Sequence, residues 1–232
     1  MVDFRILSLG DAALTIEFGE EIDPALNERV IAFAETVRAQ AWEGVLDIVP
    51  TYRSVTIHVE PLCVDLDTLT NRLLQLPKTT KHDIGAGKQH RIPVLYGGEG
   101  GPDLHDVAAF AKLSAADVIS LHASVLYRVY MLGFSPGFPY LGLVPEPLAM
   151  PRLPTPRITV PAGSVGIAGT QTGIYPISTP GGWRLIGHTP IALYRPHSAT
   201  PFLLNPGDLV RFEPIEQPEF DRLRREAHDD TH

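Results

Sequence analysis

Apolar and polar positions alternate strictly along Leu14-Thr-Ile-Glu-Phe18 and again along Val55-Thr-Ile-His-Val59. This period of two marks strands buried on one face. Between them Leu26, Val30, Phe33 and Val37 recur at spacings of 4, 3 and 4, which line one face of a helix. Asp23 supplies its N-cap and Pro24 suits the first helical position. Gly44-Val-Leu-Asp-Ile-Val49 reads as a further strand closed by Pro50, and Leu66, Leu69, Leu73 and Leu76 mark a second amphipathic helix ending before Pro77. These elements predict a small N-terminal α/β sandwich domain over residues 1–85.

A polar connector follows, Lys78 to Lys88, and then a strand, Arg91-Ile-Pro-Val-Leu-Tyr96. One helix is expected to start at Asp103. Another should start at Ser114, where Asp117 three residues on completes a capping box. Helical periodicity ends after Tyr127-Arg-Val-Tyr130. From Gly133 onward short apolar runs alternate with Gly/Pro turns, the pattern of an all-β unit with long ordered loops. Of 22 prolines 14 lie between Gly133 and Pro206, so the change of character is abrupt. Glu219 to Glu226 reads as a last amphipathic helix before a frayed acidic tail. The second domain is expected over residues 86–232, and the chain is assigned to the α+β class.

The net charge of −8, with no run of Lys or Arg, argues against a nucleic-acid partner. No stretch is long and apolar enough for a membrane span and no targeting segment is evident, so a cytoplasmic protein is expected. The single cysteine, Cys63, excludes an internal disulfide and a Cys-based zinc cage. The nine histidines show no ligand spacing, so no metal is expected.

Candidate chemistry concentrates between Gly133 and Gly187. Residues 133–187 hold one Glu and three Arg, with no Asp or Lys. A neutral, partly apolar cavity edged by Arg152, Arg157 or Arg184 suits a small carboxylate or phosphate. Gly133-Phe-Ser-Pro-Gly137 satisfies the nucleophile-elbow pattern in letters only. Pro136 has no N–H for an oxyanion hole, and Phe138-Pro139 prevents a following helix. Ser135 is therefore read as a turn residue able to hydrogen-bond a ligand or its own loop. The Gly163–Gly169 run lacks the dinucleotide fingerprint and Gly85-Ala-Gly-Lys88 is not a phosphate loop, so no self-contained nucleotide site is visible. His122 and His188 flank the segment and are its candidate titratable groups.

Three long motifs carry a family resemblance: Tyr127–Leu143 with its Gly-Phe-Ser-Pro-Gly-Phe-Pro-Tyr core, Val160–Pro176, and Thr179-Pro-Gly-Gly-Trp-Arg-Leu-Ile-Gly-His-Thr-Pro190. They resemble the allophanate hydrolase subunit 1 (KipI-like) family. Gly10–Leu14, Val49–Ser54, Tyr96-Gly-Gly-Glu99, Gly101–Leu104 and Pro206-Gly-Asp208 extend the resemblance along the chain. The resemblance implies a C-terminal cyclophilin-like β-barrel and a role as one component of an ATP-dependent 5-oxoprolinase, which opens 5-oxoproline to L-glutamate. Its implied partners are the 5-oxoprolinase C subunit (allophanate hydrolase subunit 2, KipA-like) and the lactam-processing A subunit. ATP would be shared with them or held by them.

On this reading His122 is the proton carrier and Arg157 clamps a carboxylate or phosphate. Ser135, Gly137, Phe138, Tyr140, Gln171, Trp183 and His188 contact substrate. Two positions depart from the family pattern: Gly100 replaces an aromatic residue, and His188 stands where Arg is common. Two alternatives stay open, an inhibitor of a sensor histidine kinase and a carboxyltransferase-like component of urea or allophanate metabolism.

Overall fold

In the computed structural model residues 4–76 and 87–229 are described. The chain divides into two compact units, Met1–Ala86 and Gly87–His232. Most of the polar connector, residues 78–86, lies outside the described residues, as does the end of the tail.

The first unit holds β1 (Arg5–Ser8), β2 (Ala13–Glu17), α1 (Pro24–Ala39), β3 (Val45–Pro50), β4 (Ser54–Val59) and α2 (Leu66–Leu74). Its strands form an antiparallel sheet in the order β1-β2-β4-β3. Leu14 and Ile16 on β2 meet Val55, Ile57 and Val59 on β4, and α1 lays Val30, Phe33 and Val37 on the same core. Asp23 caps α1 as its sequence predicts, accepting from the Leu26 N–H at 2.8 Å, and Asp65 does the same for α2 through Thr68. The short edge strand β1 was not expected. It carries one turn of weak alternation, with little burial to enforce it.

The second unit is a closed barrel built from β5 (Gln89–Tyr96), β6 (Leu126–Leu132), β7 (Pro139–Gly142), β9 (Ser164–Ala168), β10 (Gln171–Ile174), β12 (Arg184–His188) and β13 (Leu209–Pro214). Its circular order is β10-β7-β6-β13-β5-β12-β9, with β13 and β5 parallel. Two helices, α3 (Leu104–Ala111) and α4 (Ala115–Ser124), cross between β5 and β6, and the capping box at Ser114 and Asp117 is formed. A two-stranded ribbon, β8 (Arg157–Val160) with β11 (Thr179–Gly181), stands apart from the barrel wall. The final helix, α5 (Gln217–Asp229), is longer than its apolar pattern predicts. Arg222 bonds both Glu219 and Glu226, so exposed charge pairs extend it at each end.

The barrel core is aliphatic and aromatic: Ile92, Val94, Val129, Leu141, Val165, Ile167, Ile174, Ile186 and Phe212 are nearly inaccessible. Asp208 latches the barrel where β13 begins. Its carboxylate accepts from the Lys88 and Asn205 N–H groups and pairs with the His90 ring at 3.0 Å. The expected α+β class, a small sandwich followed by a C-terminal β-barrel, is what forms. Among the described residues no helix is long and apolar enough to cross a membrane.

Candidate functional site

Strand alternation sorts the candidate residues onto two sides of the barrel wall. On β10, Thr172 and Ile174 face the core, while Gln171, Gly173 and then Tyr175 face outward. Gly166 and Gly173 leave the outer face bare. A Cβ at Gly173 would lie 3.0 Å from the Trp183 ring, 3.1 Å from Phe138 and 2.9 Å from the Pro139 carbonyl. Only glycine therefore lets those rings rest on the sheet.

The rings form a second cluster outside the barrel. Phe138 meets Trp183, Tyr175 and Tyr140 edge-on at centroid distances of 5.3, 5.1 and 5.1 Å, and Val160 of the ribbon packs with them. Arg152 is exposed, and its guanidinium stands 5.9 Å above the Trp183 ring. Burial raises the Tyr140 phenol, with the Arg152 charge opposing it, and burial likewise raises Tyr175. Both tyrosines are thus neutral hydrogen-bonding groups beside one available cation.

Arg157 is not the free clamp expected of it. Its Nη2 donates to Asp103 Oδ1 at 2.8 Å, and the other Asp103 oxygen accepts from the Leu185 N–H at 2.7 Å. Asp103 is 4% exposed, so its carboxylate needs that guanidinium. The pair ties β8 to β12 and to the start of α3. Asp103 stands at the helix N-cap position as predicted, but spends its side chain on this tie and caps nothing. Arg184 is also engaged, reaching Asp106 and the Pro151 carbonyl at 3.4 Å.

His122 requires a larger correction. It lies inside the barrel at 0% exposure, stacked on Phe212 with centroids 4.6 Å apart. The Thr172 hydroxyl donates to the Gly166 carbonyl at 2.9 Å, so it can only accept from the ring Nε2. Nδ1 then accepts from the Tyr96 hydroxyl at 2.8 Å. The ring is a neutral Nε2–H tautomer with both nitrogens satisfied, and burial lowers its pKa to about 3. An ordinary imidazole pKa was the reason for making it a proton carrier, and that reason does not hold here. The β10 wall separates it from Tyr140, Trp183 and Arg157.

The remaining candidates are scattered. Ser135 and Gly137 occupy the β6–β7 turn, where no helix follows. The Ser135 hydroxyl is enclosed without a hydrogen-bond partner, and Gly137 adopts φ 77° against the Phe202 ring. Gln171 opens β10 opposite Gly142 and Ala168, on the outer face. His188 lies at the far end of β12 from Trp183, on the wall of a separate groove of about 540 Å³. The structure therefore gathers Phe138, Tyr140, Gln171 and Trp183 on one face, and leaves His122, Arg157 and His188 elsewhere. Among the described residues no group of three or more His, Cys, Asp or Glu could hold a metal ion.

The match of residues 4–204 to the family described as carboxyltransferase domain, subdomain C and D, decides what kind of chain this is. The chain belongs to that family. It is 42% identical to the B subunit of 5-oxoprolinase from Bacillus subtilis (strain 168) over 239 residues, 98% of this chain and 99% of that protein. Against the 5-oxoprolinase B subunit of Escherichia coli O157:H7 the identity is 44% over 211 residues, 90% of this chain and 95% of that protein. The crystal structure of TTHA0988 superposes with a TM-score of 0.80 at 43% identity over 89% of this chain. This chain spans 40% of that longer one. The family resemblance read from the motifs is thereby met, and the fold with it.

Asp103, Thr172 and Tyr96 hold the site's framework, but on sequence grounds Asp103 was read only as a helix start and Thr172 and Tyr96 were given no site role. Tyr96 and Asp103 sit in motifs that carry the resemblance, Tyr96-Gly-Gly-Glu99 and Gly101-Pro-Asp-Leu104. Their partners lie 26 and 54 residues away, and no local pattern announces such a pairing.

Proposed function

We propose that this chain is the barrel-bearing B subunit of an ATP-dependent 5-oxoprolinase, acting with the A and C subunits to open 5-oxoproline to L-glutamate. End-to-end similarity at 42–44% identity to proteins named as the B subunit of 5-oxoprolinase carries this reading. The outer aromatic face supports it chemically. 5-Oxoproline is a neutral cyclic amide bearing one carboxylate. Tyr140 and Trp183 offer a wall for the ring, Gln171 offers an amide at its edge, and Arg152 offers the cation for the carboxylate. Arg157 and His122 act on this reading as positioning residues, holding the ribbon and the β10 wall in place.

ATP does not fit a self-contained site among the described residues. The Gly163–Gly169 run becomes the fully buried strand β9, and Arg157 and Arg184 are committed to carboxylates. On this reading the nucleotide belongs with the partner subunits.

The test is reconstitution: ATP-dependent glutamate release from 5-oxoproline by the A and C subunits, with and without this chain. A strict requirement for the chain is expected; equal turnover without it refutes the reading. The family's description as a carboxyltransferase domain favours one other activity, transfer of a carboxyl group from a biotin carrier. Turnover in the same assay that is indifferent to avidin removes it.

A further inference from the structure

The groove that holds His188 shares Leu185 of β12 with the aromatic cluster, but its polar groups take no part in the proposed oxoprolinase face. His188 is four residues beyond Arg184 on β12, about 13 Å along the strand. The groove's volume of about 540 Å³ is of small-ligand size. Leu95 and Leu185 line it, the Gly97–Gly100 turn forms one side, and α5 forms the other. Gln217, Phe220 and Arg224 follow one another at helical spacing, so a single face of α5 lines the groove. Phe220 is 7% exposed and packs edge-on against the His188 ring at 5.7 Å, which fixes that face.

The polar groups here are unspent. Ser164 is 1% exposed and stands opposite His188 in the β9–β12 register. Among the described residues neither the Ser164 hydroxyl nor the His188 ring has a hydrogen-bond partner, and neither Arg224 nor Glu99 has an ion-pair partner. Their neighbours differ in this respect. Arg222, on the opposite side of α5, is saturated by Glu219 and Glu226. The Ser164 hydroxyl and the His188 ring open onto the groove, so a ligand seated there can bond them in place of water.

The charges narrow the ligand. A simple anion would meet Arg224 but also the Glu99 carboxylate, and a simple cation would meet the reverse. A molecule carrying both charges satisfies both. The apolar floor of Leu95, Leu185 and Phe220 adds room for a short aliphatic side chain. Burial and the Arg224 charge hold the His188 pKa below its usual value, so the ring is a neutral hydrogen-bonding group and adds no third charge.

We propose that this groove binds a small zwitterion of the α-amino-acid class, its carboxylate on Arg224, Ser164 and His188 and its ammonium on Glu99. The site is separate from the aromatic face, and its existence does not depend on the oxoprolinase reading.

Calorimetric titration of the purified full chain, without its partners, tests it. The ligands are L-alanine, L-alanine methyl ester, N-acetyl-L-alanine and acetate. Saturable binding of L-alanine is expected, weakened about tenfold or more in the ester, which lacks the carboxylate charge, and in the acetylated form, which lacks the ammonium. Arg224→Gln and Glu99→Gln lie on the surface and should melt like the parent while each loses about tenfold in affinity for L-alanine. Acetate binding as tightly as L-alanine, both variants binding like the parent, or no saturable heat at tens of millimolar L-alanine would each overturn the proposal.

Discussion

Burial of His122 makes the barrel's stability depend on pH in a direction that can be worked out. The unfolded chain titrates this ring near 6.5, whereas the folded barrel holds it neutral down to about 3. Above pH 6.5 both states are neutral and the ring's full contribution is present. Below 6.5 the unfolded chain takes up a proton that the folded state refuses, so stability falls by about 1.4 kcal/mol for each further pH unit. The loss reaches about 2 kcal/mol at pH 5 and about 4 kcal/mol at pH 3, where the folded state is itself half protonated. A loss of that size approaches the whole stability of a typical domain, roughly 5–15 kcal/mol. His188 has its pKa lowered too and acts in the same direction, so the variant must isolate His122. The measurement is urea denaturation of the wild type and of His122→Gln at pH 7.5 and pH 5. Glutamine can still donate toward Thr172 and accept from Tyr96 but does not titrate. It forfeits the stacking on Phe212, so its absolute stability is lower at both pH values and only the difference between them matters. The wild type should lose about 2 kcal/mol more than the variant on acidification. Parallel losses in the two proteins would refute the assignment of a neutral, enclosed imidazole.

Arg157→Met should destabilise the barrel by about 3 kcal/mol in chemical denaturation, because it strands the Asp103 carboxylate. The double variant with Asp103→Asn should recover part of that loss, which a merely exposed arginine would not produce. Gly173→Ala has no space against the Pro139 carbonyl and should cost about 1–3 kcal/mol, with a changed near-ultraviolet signal from Trp183. Arg152→Gln should leave the melting temperature unchanged and raise KM for 5-oxoproline in the reconstituted complex; an unchanged KM would remove Arg152 from the site. Asp23→Ala should lower the stability of the first unit by about 1 kcal/mol through loss of the α1 cap.

The first unit was legible almost element by element because each helix and strand there carries its own periodicity and its own cap. Asp23 with Pro24, and Ser114 with Asp117 in the second unit, are short signals whose partners are local. β1 escaped because an edge strand with little burial has no apolar repeat to display. The barrel was legible as a class, from its Gly/Pro punctuation, but not as a strand order. The parallel pairing of β13 with β5 joins segments far apart in the chain, and its latch, Asp208 on the Lys88 N–H 120 residues away, has no local trace.

Why the site was only half legible follows from the same strands. Alternation tells inside from outside only where apolar and polar residues contrast, and in Ser164-Val-Gly-Ile-Ala168 every residue is buried, on both faces of the wall. Gly166 and Gly173 carry no side chain to reveal parity. The residues they serve, Trp183 and Phe138, lie in other motifs. Phe138, Tyr140, Gln171 and Trp183 fall on one outer face because all are neutral or aromatic groups of one Gly/Pro-rich segment, which needs something to pack on. His122 and Arg157 were misplaced because their residue types advertise chemistry. What decides their role is burial and a partner: a hydroxyl on each side of the imidazole, and a carboxylate against the guanidinium. A titratable residue beside a motif becomes a reagent only if it reaches solvent or substrate. Arg152 beside the aromatic face reaches solvent, as do Arg224 and Glu99 at the groove beside α5, whereas His122 does not.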